Sequence, residues 1–343
     1  AFKANEVKAS VDFISRKGDF VTHGGLKLCE LTYLQYNCYV DKYSWGIDTK
    51  ELTFLNSSSL QSGDLAQKEL RTLLEIEQPG VKLTSTNPLQ KQLSFNSVKP
   101  KLDLKTNMLT AQEVFIIRSA DAAIKPMDSK VVIRPGAQMD TIENAKILFD
   151  VDSKIHDIYD SRIAIFSSEF YSANGYIDYV DEDKKKQKIF LKDIHPESKI
   201  SKAIGSIEKD YPLALSSNFN FYGNVTVNAK DTNYMFDGGV QLTHNCYENL
   251  AWLKFNSKLD PKEIFIPINE SSVSVDNERI TASLLFNPKN LEPKSAFLTN
   301  DIASDNAFVS LKGFLTYDKS SNEYRIASRE KLEDMKEALG DYI

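Results

Sequence analysis

Carboxylates are the most abundant groups in this sequence that could perform chemistry, because its 343 residues include 48 Asp and Glu. The segment FDVDSKIHDIYDS concentrates four of them, at Asp150, Asp152, Asp157 and Asp160. An EF-hand calcium loop requires glycine at its sixth position and glutamate at its twelfth, whereas Ile155 and Ser161 occupy those positions here. Glycoside hydrolysis requires two carboxylates about 5–10 Å apart, and no pair is distinguished by its spacing. The carboxylates therefore predict no catalytic residue and no calcium ligand.

Histidine and cysteine, the other common catalytic and metal-binding residues, are few and dispersed. The four histidines are His23, His156, His195 and His244. They lack the i, i+4 spacing of a zinc-binding helix, and we expect them at the surface or in turns. Cys29 and Cys38 could form a disulfide across a hairpin in an oxidising compartment. The favoured interpretation is that Cys38 and Cys246, which occupy matching positions in similar segments, are buried small apolar residues. We predict no metal site, no cofactor and no enzymatic activity.

Asparagines have the most regular spacing among the polar residues, in the segment NFNFYGNVTVNA from Asn218 to Ala229. Apolar residues occupy alternate positions, which predicts a β-strand with one buried and one solvated face. The solvated face carries Asn218, Asn220, Asn224 and Asn228. Such a row can serve solubility, can form a ladder between stacked strands or can bind sugar, and we take these four residues as the binding candidates. Gly223 interrupts the strand and predicts a bulge or a tight bend.

The elements that would position these residues are mainly short strands joined by turns. The predicted fold class is mainly β, with antiparallel strands in stacked or tandem units and two peripheral helices. The charged run DEDKKKQK predicts one hairpin turn, and DKSSNE predicts a second within Phe314–Ala327. The helices are predicted at Asp64–Glu77, with Asp64 as N-cap, and at Ser328–Leu339. The 15 tyrosines and 19 phenylalanines are expected mainly in the core and in cross-strand pairs.

An internal echo indicates that two parts of the chain are related. FVTHGGLKL and NCYVDKYSW near the N-terminus recur as MFDGGVQL and NCYENLAW in the C-terminal half, and LDLKTNMLTA recurs as YDKSSNEYRIA. We interpret the echo as a duplication with a long period. The residues predicted to superpose are Gly25 with Gly239, Cys38 with Cys246, and Trp45 with Trp252.

The register of the echo also predicts how the chain is divided. Residues 1–55 would end a first β unit, 56–92 would form a helical linker, 93–270 would form a second complete β unit, and 271–343 would begin a further unit with a C-terminal helix. Because the sequence begins at Ala1 within a strand-like pattern, we expect it to be a mature product or a piece of a longer protein.

Composition argues against several classes of function. The net charge of −6 arises from 42 Lys and Arg against 48 Asp and Glu, with the two signs interspersed, so no basic surface for nucleic acid is indicated. No stretch approaches the ~20 apolar residues of a membrane-spanning helix, and no signal peptide is recognised. Apolar residues make up 41% of the chain, which is enough to build a substantial core.

The segment GNVTVNAKDTNYMFDGGVQL, preceded by KKQKIFLKDI, resembles the repeats of the OstA/LptA group of bacterial envelope proteins. This resemblance implies an OstA-like β-jelly roll or a β-solenoid-like stack of short strands, a periplasmic or outer-membrane location, and contact with lipid or lipopolysaccharide. VFIIRSADAAIKPMDSKVVIRPGAQMDTIENAKI and GYIDYVDEDKKKQKI resemble large, functionally uncharacterised envelope proteins of Bacteroidota-type bacteria.

These observations together predict a non-enzymatic envelope scaffold or binding module, as part of a larger repeat protein. The alternatives are a conduit for lipid or lipopolysaccharide and a carbohydrate-active enzyme. The expected partners are other envelope proteins, glycan or lipid within a larger assembly, with outer-membrane association and without nucleic acid. The expected location is the periplasm, the outer membrane or the cell surface.

Overall fold

The structure, a computed structural model, describes residues 2–57, 63–244, 250–286, 293–300 and 306–340. Within these residues the chain is mainly β, with antiparallel strand pairs and two α-helices, which confirms the predicted fold class. The chain forms two compact units. Unit 1 consists of Ala1–Ile177, Phe190–Ala203 and Asn228–Asp231, and unit 2 consists of Asp178–Ile189, Ile204–Val227 and Thr232–Ile343.

Unit 1 is built mostly from short strands. In chain order these are β1 (Phe2–Ala4), β2 (Val7–Asp12), β3 (Lys17–Thr22), β4 (Lys27–Leu31), β5 (Tyr36–Val40), β6 (Lys42–Gly46), β7 (Glu51–Leu55), β8 (Val81–Ser85), β9 (Ser94–Ser97), β10 (Lys99–Asp103), β11 (Met108–Gln112), β12 (Ile117–Ser119), β13 (Ala122–Pro126), β14 (Lys130–Arg134), β15 (Gln138–Met139), β16 (Ile142–Leu148) and β17 (Asp157–Ile165). Three further strands contribute residues to both units: β18 (Tyr171–Val180), β19 (Lys186–Glu197) and β20 (Ile200–Ile207).

Consecutive hairpins of unit 1 alternate between two sheets. Sheet A takes β4–β5, β8–β9, β12–β13 and β16–β17, and sheet B takes β2–β3, β6–β7, β10–β11 and β14–β15. Each hairpin pairs with the previous hairpin of its own sheet, as β6 does with β3 and β8 does with β5. One pass of the chain consists of a hairpin in sheet B followed by a hairpin in sheet A, so each pass adds one hairpin to each sheet.

The two sheets of unit 1 pack their apolar sides together. The ring of Phe2 in sheet A lies 5.1 Å from that of Tyr43 and 5.7 Å from that of Phe54, both in sheet B, measured between centroids. Alternate residues of β5, such as Tyr36 and Cys38, are at most 1% exposed. The burial pattern thus follows the period of two that a strand imposes on its side chains.

The first helix is much shorter than the predicted Asp64–Glu77, because α1 covers only Leu70–Leu73 after a 3-10 turn. The Lys125 ammonium donates to the carbonyl oxygens of Ala66 and Lys68 at 2.8 and 2.7 Å. Residues Gly63–Gln67 form a 3-10 turn with non-helical backbone angles at Asp64, and the Lys125 ammonium holds this turn by hydrogen bonding to it. The cap and apolar spacing of the segment did not predict the 3-10 turn before Leu70, which a side chain distant in sequence contacts.

The remaining elements lie in unit 2, apart from Asn228 at the end of β22. They are β21 (Leu213–Ser216), β22 (Phe219–Asn228), β23 (Tyr234–Leu242), β24 (Leu253–Leu259), β25 (Ile266–Ile268), β26 (Ile280–Phe286), β27 (Pro293–Asn300), β28 (Asn306–Ser310), β29 (Gly313–Asp318), β30 (Glu323–Ala327) and α2 (Arg329–Gly340). Strands β22, β23 and β24 pair in sequence, whereas β25–β29–β30 and β27–β26–β28 form two small sheets. Helix α2 and the β29–β30 hairpin confirm the corresponding predictions.

The echoed segments do not adopt equivalent structures. Gly25 lies in the turn between β3 and β4 with a φ of +96°, whereas Gly239 lies inside β23. Trp45 lies in β6, whereas Trp252 precedes β24. The predicted superposition is therefore wrong for the glycines and the tryptophans, and Cys246 lies outside the described residues.

The third part of the echo has a local structural basis. Asp103 ends β10 and Asp318 ends β29, and each carboxylate accepts a backbone amide two residues later, at 2.7 and 2.8 Å. Asn107 and Asn322, four residues after these aspartates, have left-handed φ values of +54° and +60°. The amide of Lys105 lowers the pKa of Asp103. The shared pattern Asp-x-x-(Ser/Thr)-Asn is therefore the signature of one turn type. Aspartate favours this turn because its carboxylate accepts the backbone amide, and asparagine favours it because it tolerates a left-handed φ.

Candidate binding face

The four candidate asparagines lie on or beside β22. Asn220 and Asn224 are inside the strand, Asn228 ends it, and Asn218 precedes it by one residue. Asn224 is exposed, and the other three are partly buried. Asn224 is therefore the candidate that is most accessible to a ligand.

Residues from the next two strands extend this surface. We call the outward side of β22–β24 in unit 2 the asparagine face, formed by Asn220, Tyr222, Asn224, Asp237, Gln241, Lys254 and Asn256. Directly opposite residues of antiparallel neighbours project to the same side of a sheet. Asn224 is opposite Asp237, and Asp237 is opposite Asn256. All three are exposed, and Asn256 Nδ2 donates to Asp237 Oδ1 at 3.2 Å. An amide, a carboxylate and a second amide thus form a polar row across three strands.

An aromatic pair borders the polar row. The rings of Tyr222 and Trp252 meet edge to face, with 4.8 Å between centroids, and both residues are partly exposed. Gly239 is opposite Tyr222, and a Cβ atom at Gly239 would lie 2.7 Å from the tyrosine ring. The missing side chain at this position therefore gives the Tyr222 ring room to lie over β23. Polar and aromatic groups are consequently adjacent on one surface.

The opposite side of β22 belongs to the core of unit 2, as the alternation in the sequence predicts. Its buried residues are Phe219, Phe221, Val225 and Val227. The ring of Phe221 lies 4.9 Å from that of Phe236, between centroids. Nearby, burial raises the pKa of Tyr234 to about 12. This packing fixes which side of β22 faces outward.

Gly223 does not produce the bulge or bend that its position predicts. The pairing of β22 with β23 runs without a shift from Phe219 to Thr226. Gly223 has a φ of +132°, and a Cβ atom there would lie 2.4 Å from the carbonyl oxygen of Asp237. Glycine is required because the two backbones approach closely.

A polar cavity of about 220 Å³ is a second site in unit 2. Residues of β29, β30 and α2 line it, together with the segment that precedes β25. Arg325 lies 2.5 Å from Asp318, and Lys319 lies 2.6 Å from Asp183. Since these charges neutralise one another within the chain, their evident role is to hold the β29–β30 turn.

Ser201 in unit 1 has the neighbours of a nucleophile but no access to solvent. Its Oγ lies 2.6 Å from the hydroxyl oxygen of Tyr171 and donates a hydrogen bond to the Asp121 carboxylate. Ser201 and Tyr171 are both 0% exposed. A buried network whose members satisfy one another is structural, so we assign it no reaction.

A cross-strand aromatic row lies on the outer side of β17–β19 in unit 1. Tyr159 is opposite Tyr176, with 6.3 Å between the ring centroids, and Phe190 lies 5.2 Å from Tyr176. Phe190 is 44% exposed. The row is of the kind expected for the aromatic residues of a β-rich chain, because such pairs stabilise sheets.

The remaining candidates for chemistry have structural roles. His156 is only 4% exposed, so it does not lie at the surface, where we expected the histidines outside turns. The ring can be buried because its Nε2 is hydrogen-bonded to the Asp231 carbonyl oxygen at 2.7 Å. That burial lowers the pKa of His156. Asp150 accepts a hydrogen bond from the Ser153 hydroxyl at 2.7 Å within a turn. Cys29 and Cys38 are opposite each other, buried and free. No cluster of metal-binding side chains occurs in the described ranges.

Comparison with protein-family models, curated proteins and solved structures finds no match to the chain. In the part of the chain that the structure describes, neither helix has the length and apolar character needed to cross a membrane.

Proposed function

We propose that this chain is a non-enzymatic binding module that holds a glycan on the asparagine face. Each sugar hydroxyl both donates and accepts hydrogen bonds. Asn224 and Asn256 offer amide donors and carbonyl acceptors, and Asp237 offers two acceptor oxygens. Tyr222 and Trp252 add an apolar surface against which the C–H side of a sugar ring can pack.

The polar row Asn224–Asp237–Asn256 is the observation that carries this proposal. Neighbouring strands lie about 4.8 Å apart, so the row presents three hydrogen-bonding groups at regular intervals along a line. That arrangement suits an extended chain of repeating sugars better than an isolated small molecule. Paired strands also hold the groups rigidly, which lowers the entropic cost of binding.

A lipid conduit is less well supported by this surface. Acyl chains require a continuous apolar groove, whereas the apolar side chains of β22 face the core, and Phe221 is 0% exposed. Lipid or lipopolysaccharide would therefore have to be contacted through its sugar groups.

We place the module in a bacterial envelope, in the periplasm or at the outer membrane or cell surface, where other envelope proteins would be its neighbours in a larger assembly. The support for this placement is the sequence resemblance to OstA/LptA repeats, together with the hairpins that stack in unit 1.

The double variant Asn224→Ala/Asn256→Ala tests the proposal. Wild-type protein is first screened on an array of bacterial and plant polysaccharides, and its best ligand is then titrated by calorimetry. Each hydrogen bond contributes about 0.5–1.5 kcal/mol, so losing two should weaken binding roughly 5- to 150-fold.

The matched control is Asn5→Ala, which removes an exposed asparagine of unit 1. It should bind as wild type, and all variants should melt as wild type. A double variant with full affinity, or a wild-type protein that retains no glycan from the array, would contradict the proposal.

A further inference from the structure

Lysines surround the aromatic pair of the asparagine face. Lys209 Nζ lies 5.6 Å from the ring centroid of Tyr222. Lys254 is opposite Gly239, which is itself opposite Tyr222, so the Lys254 side chain projects from the same side of the sheet. Lys258, four residues further along β24, projects from that side as well. Lys209, Lys254 and Lys258 are all exposed.

Asp237 is the one carboxylate on the outward side of β22–β24, and it forms no ion pair with these lysines. The Asp237 carboxylate accepts a hydrogen bond from the Asn256 amide and is opposite Asn224, not a lysine. Lys209 and Lys254 form no ion pair with any residue that the structure describes. The outward side of β22–β24 thus carries two lysines, Lys254 and Lys258, against one carboxylate.

We infer that the glycan is acidic, with a carboxylate or phosphate group on the sugar that is held by Lys209 and Lys254, an inference that rests on the proposed function. Hydrogen bonds from an ammonium to an anionic oxygen are about twice as strong as those between neutral groups. The Tyr222 ring lies beside the Lys209 ammonium and limits the positions that this side chain can take. The neutral hydroxyls of the sugar then remain for Asn224, Asp237 and Asn256.

Three oligosaccharide probes of similar length separate the contribution of the anionic group to binding from the contribution of the sugar itself. They are an oligogalacturonate, its carboxyl-reduced neutral counterpart, and a phosphorylated mannan fragment. Calorimetry at low salt should show at least about tenfold tighter binding of one acidic probe than of the neutral probe. The preference should largely vanish near 1 M salt, where the Debye length is about 3 Å. The acidic probe that binds more tightly shows whether the anionic group is a carboxylate or a phosphate.

Lys254→Met and Lys209→Met assign the effect to these two side chains. Each should weaken binding of the acidic probe by up to about fivefold and leave the affinity for the neutral probe unchanged. The matched control is Lys8→Met, which removes an exposed β2 lysine in unit 1 that forms no ion pair with described residues. It should change neither affinity.

The two proposals fail differently. Equal binding of the acidic and neutral probes, or lysine variants that bind the acidic probe as wild type, would overturn the acidic preference and leave glycan binding intact. Absence of binding to all three probes and to the polysaccharide array would overturn both.

Discussion

Cys29 and Cys38 illustrate how position within the fold controls the reactivity of single residues. They are directly opposite each other on β4 and β5, and both are 0% exposed. A hydrogen bond with Cys29, together with burial, raises the pKa of Cys38. Because the thiolate is the reactive form, a buried thiol with a raised pKa should be inert. The same hydrogen bond lowers the pKa of Cys29, so the protection of that thiol rests on its burial.

We predict that neither thiol reacts with a disulfide reagent in the native protein and that both react after denaturation. The variant Cys246→Ser isolates this pair, because the chain has three cysteines. Reaction is followed by the colour of the released thiolate. Rapid reaction of either cysteine in the folded protein would show that β4 and β5 open readily or that the side chains are exposed.

Phe221→Ala tests the assignment of the two faces of β22. The Phe221 side chain is 0% exposed and packs against Phe236, so its removal leaves a cavity in the core of unit 2. The free energy of unfolding should fall by about 3–5 kcal/mol, measured by urea denaturation. The matched control Asn224→Ala removes an exposed side chain of the same strand and should stay within roughly ±0.5 kcal/mol. A Phe221→Ala protein as stable as wild type would mean that the buried and outward sides of β22 are reversed.

At the scale of elements, close approach of two strands depends on a residue without a side chain. Gly223 has a φ of +132°, and a Cβ atom there would lie 2.4 Å from the Asp237 carbonyl oxygen. Gly24, in the turn between β3 and β4, has a φ of +80° and no atom within 4 Å of such a Cβ.

We predict that Gly223→Ala destabilises the protein by more than about 3 kcal/mol, because backbone strain and a steric clash add. Gly24→Ala should cost only about 1–2 kcal/mol, the strain of a left-handed alanine. Both values are measurable by urea denaturation. Equal effects of the two substitutions would show that contact between β22 and β23 does not limit the size of residue 223.

Local rules account for the elements that the sequence predicts well. The two faces of β22 follow from alternation, and the β29–β30 turn follows from Asp318 and Asn322. The length of α1 could not be predicted, since the 3-10 turn before it is contacted by Lys125, a residue distant in sequence. The same limit applies to the binding face. Asparagines of one strand were visible in the sequence, but Asp237 and Asn256 join Asn224 through strand register, which no short segment encodes.

At the scale of the whole molecule, strands dominate the described residues and α-helix is confined to two elements. We predict a far-ultraviolet circular dichroism spectrum of β type, with a helical share far below the roughly one third that is typical of globular proteins. Thermal unfolding should lose this β signal. A helical share of a third or more would contradict the fold class.

Turn-forming residues in the sequence indicate where strands end, but not which sheet each strand joins. The alternation of hairpins between sheets A and B is therefore a property that the turns alone do not specify. The third part of the echo has a related explanation. A recurring turn, such as those after Asp103 and Asp318, leaves the same residues in the sequence as a duplicated unit would.

The alternating hairpins of unit 1 make spatial neighbours close in sequence, because each hairpin pairs with the previous one of its sheet. Contacts of this kind can form in order as the chain leaves the ribosome, with each finished pass serving as the template for the next. They also permit change in length. Insertion or deletion of one complete pass would lengthen or shorten both sheets together, and the remaining hairpins would pair in the same way.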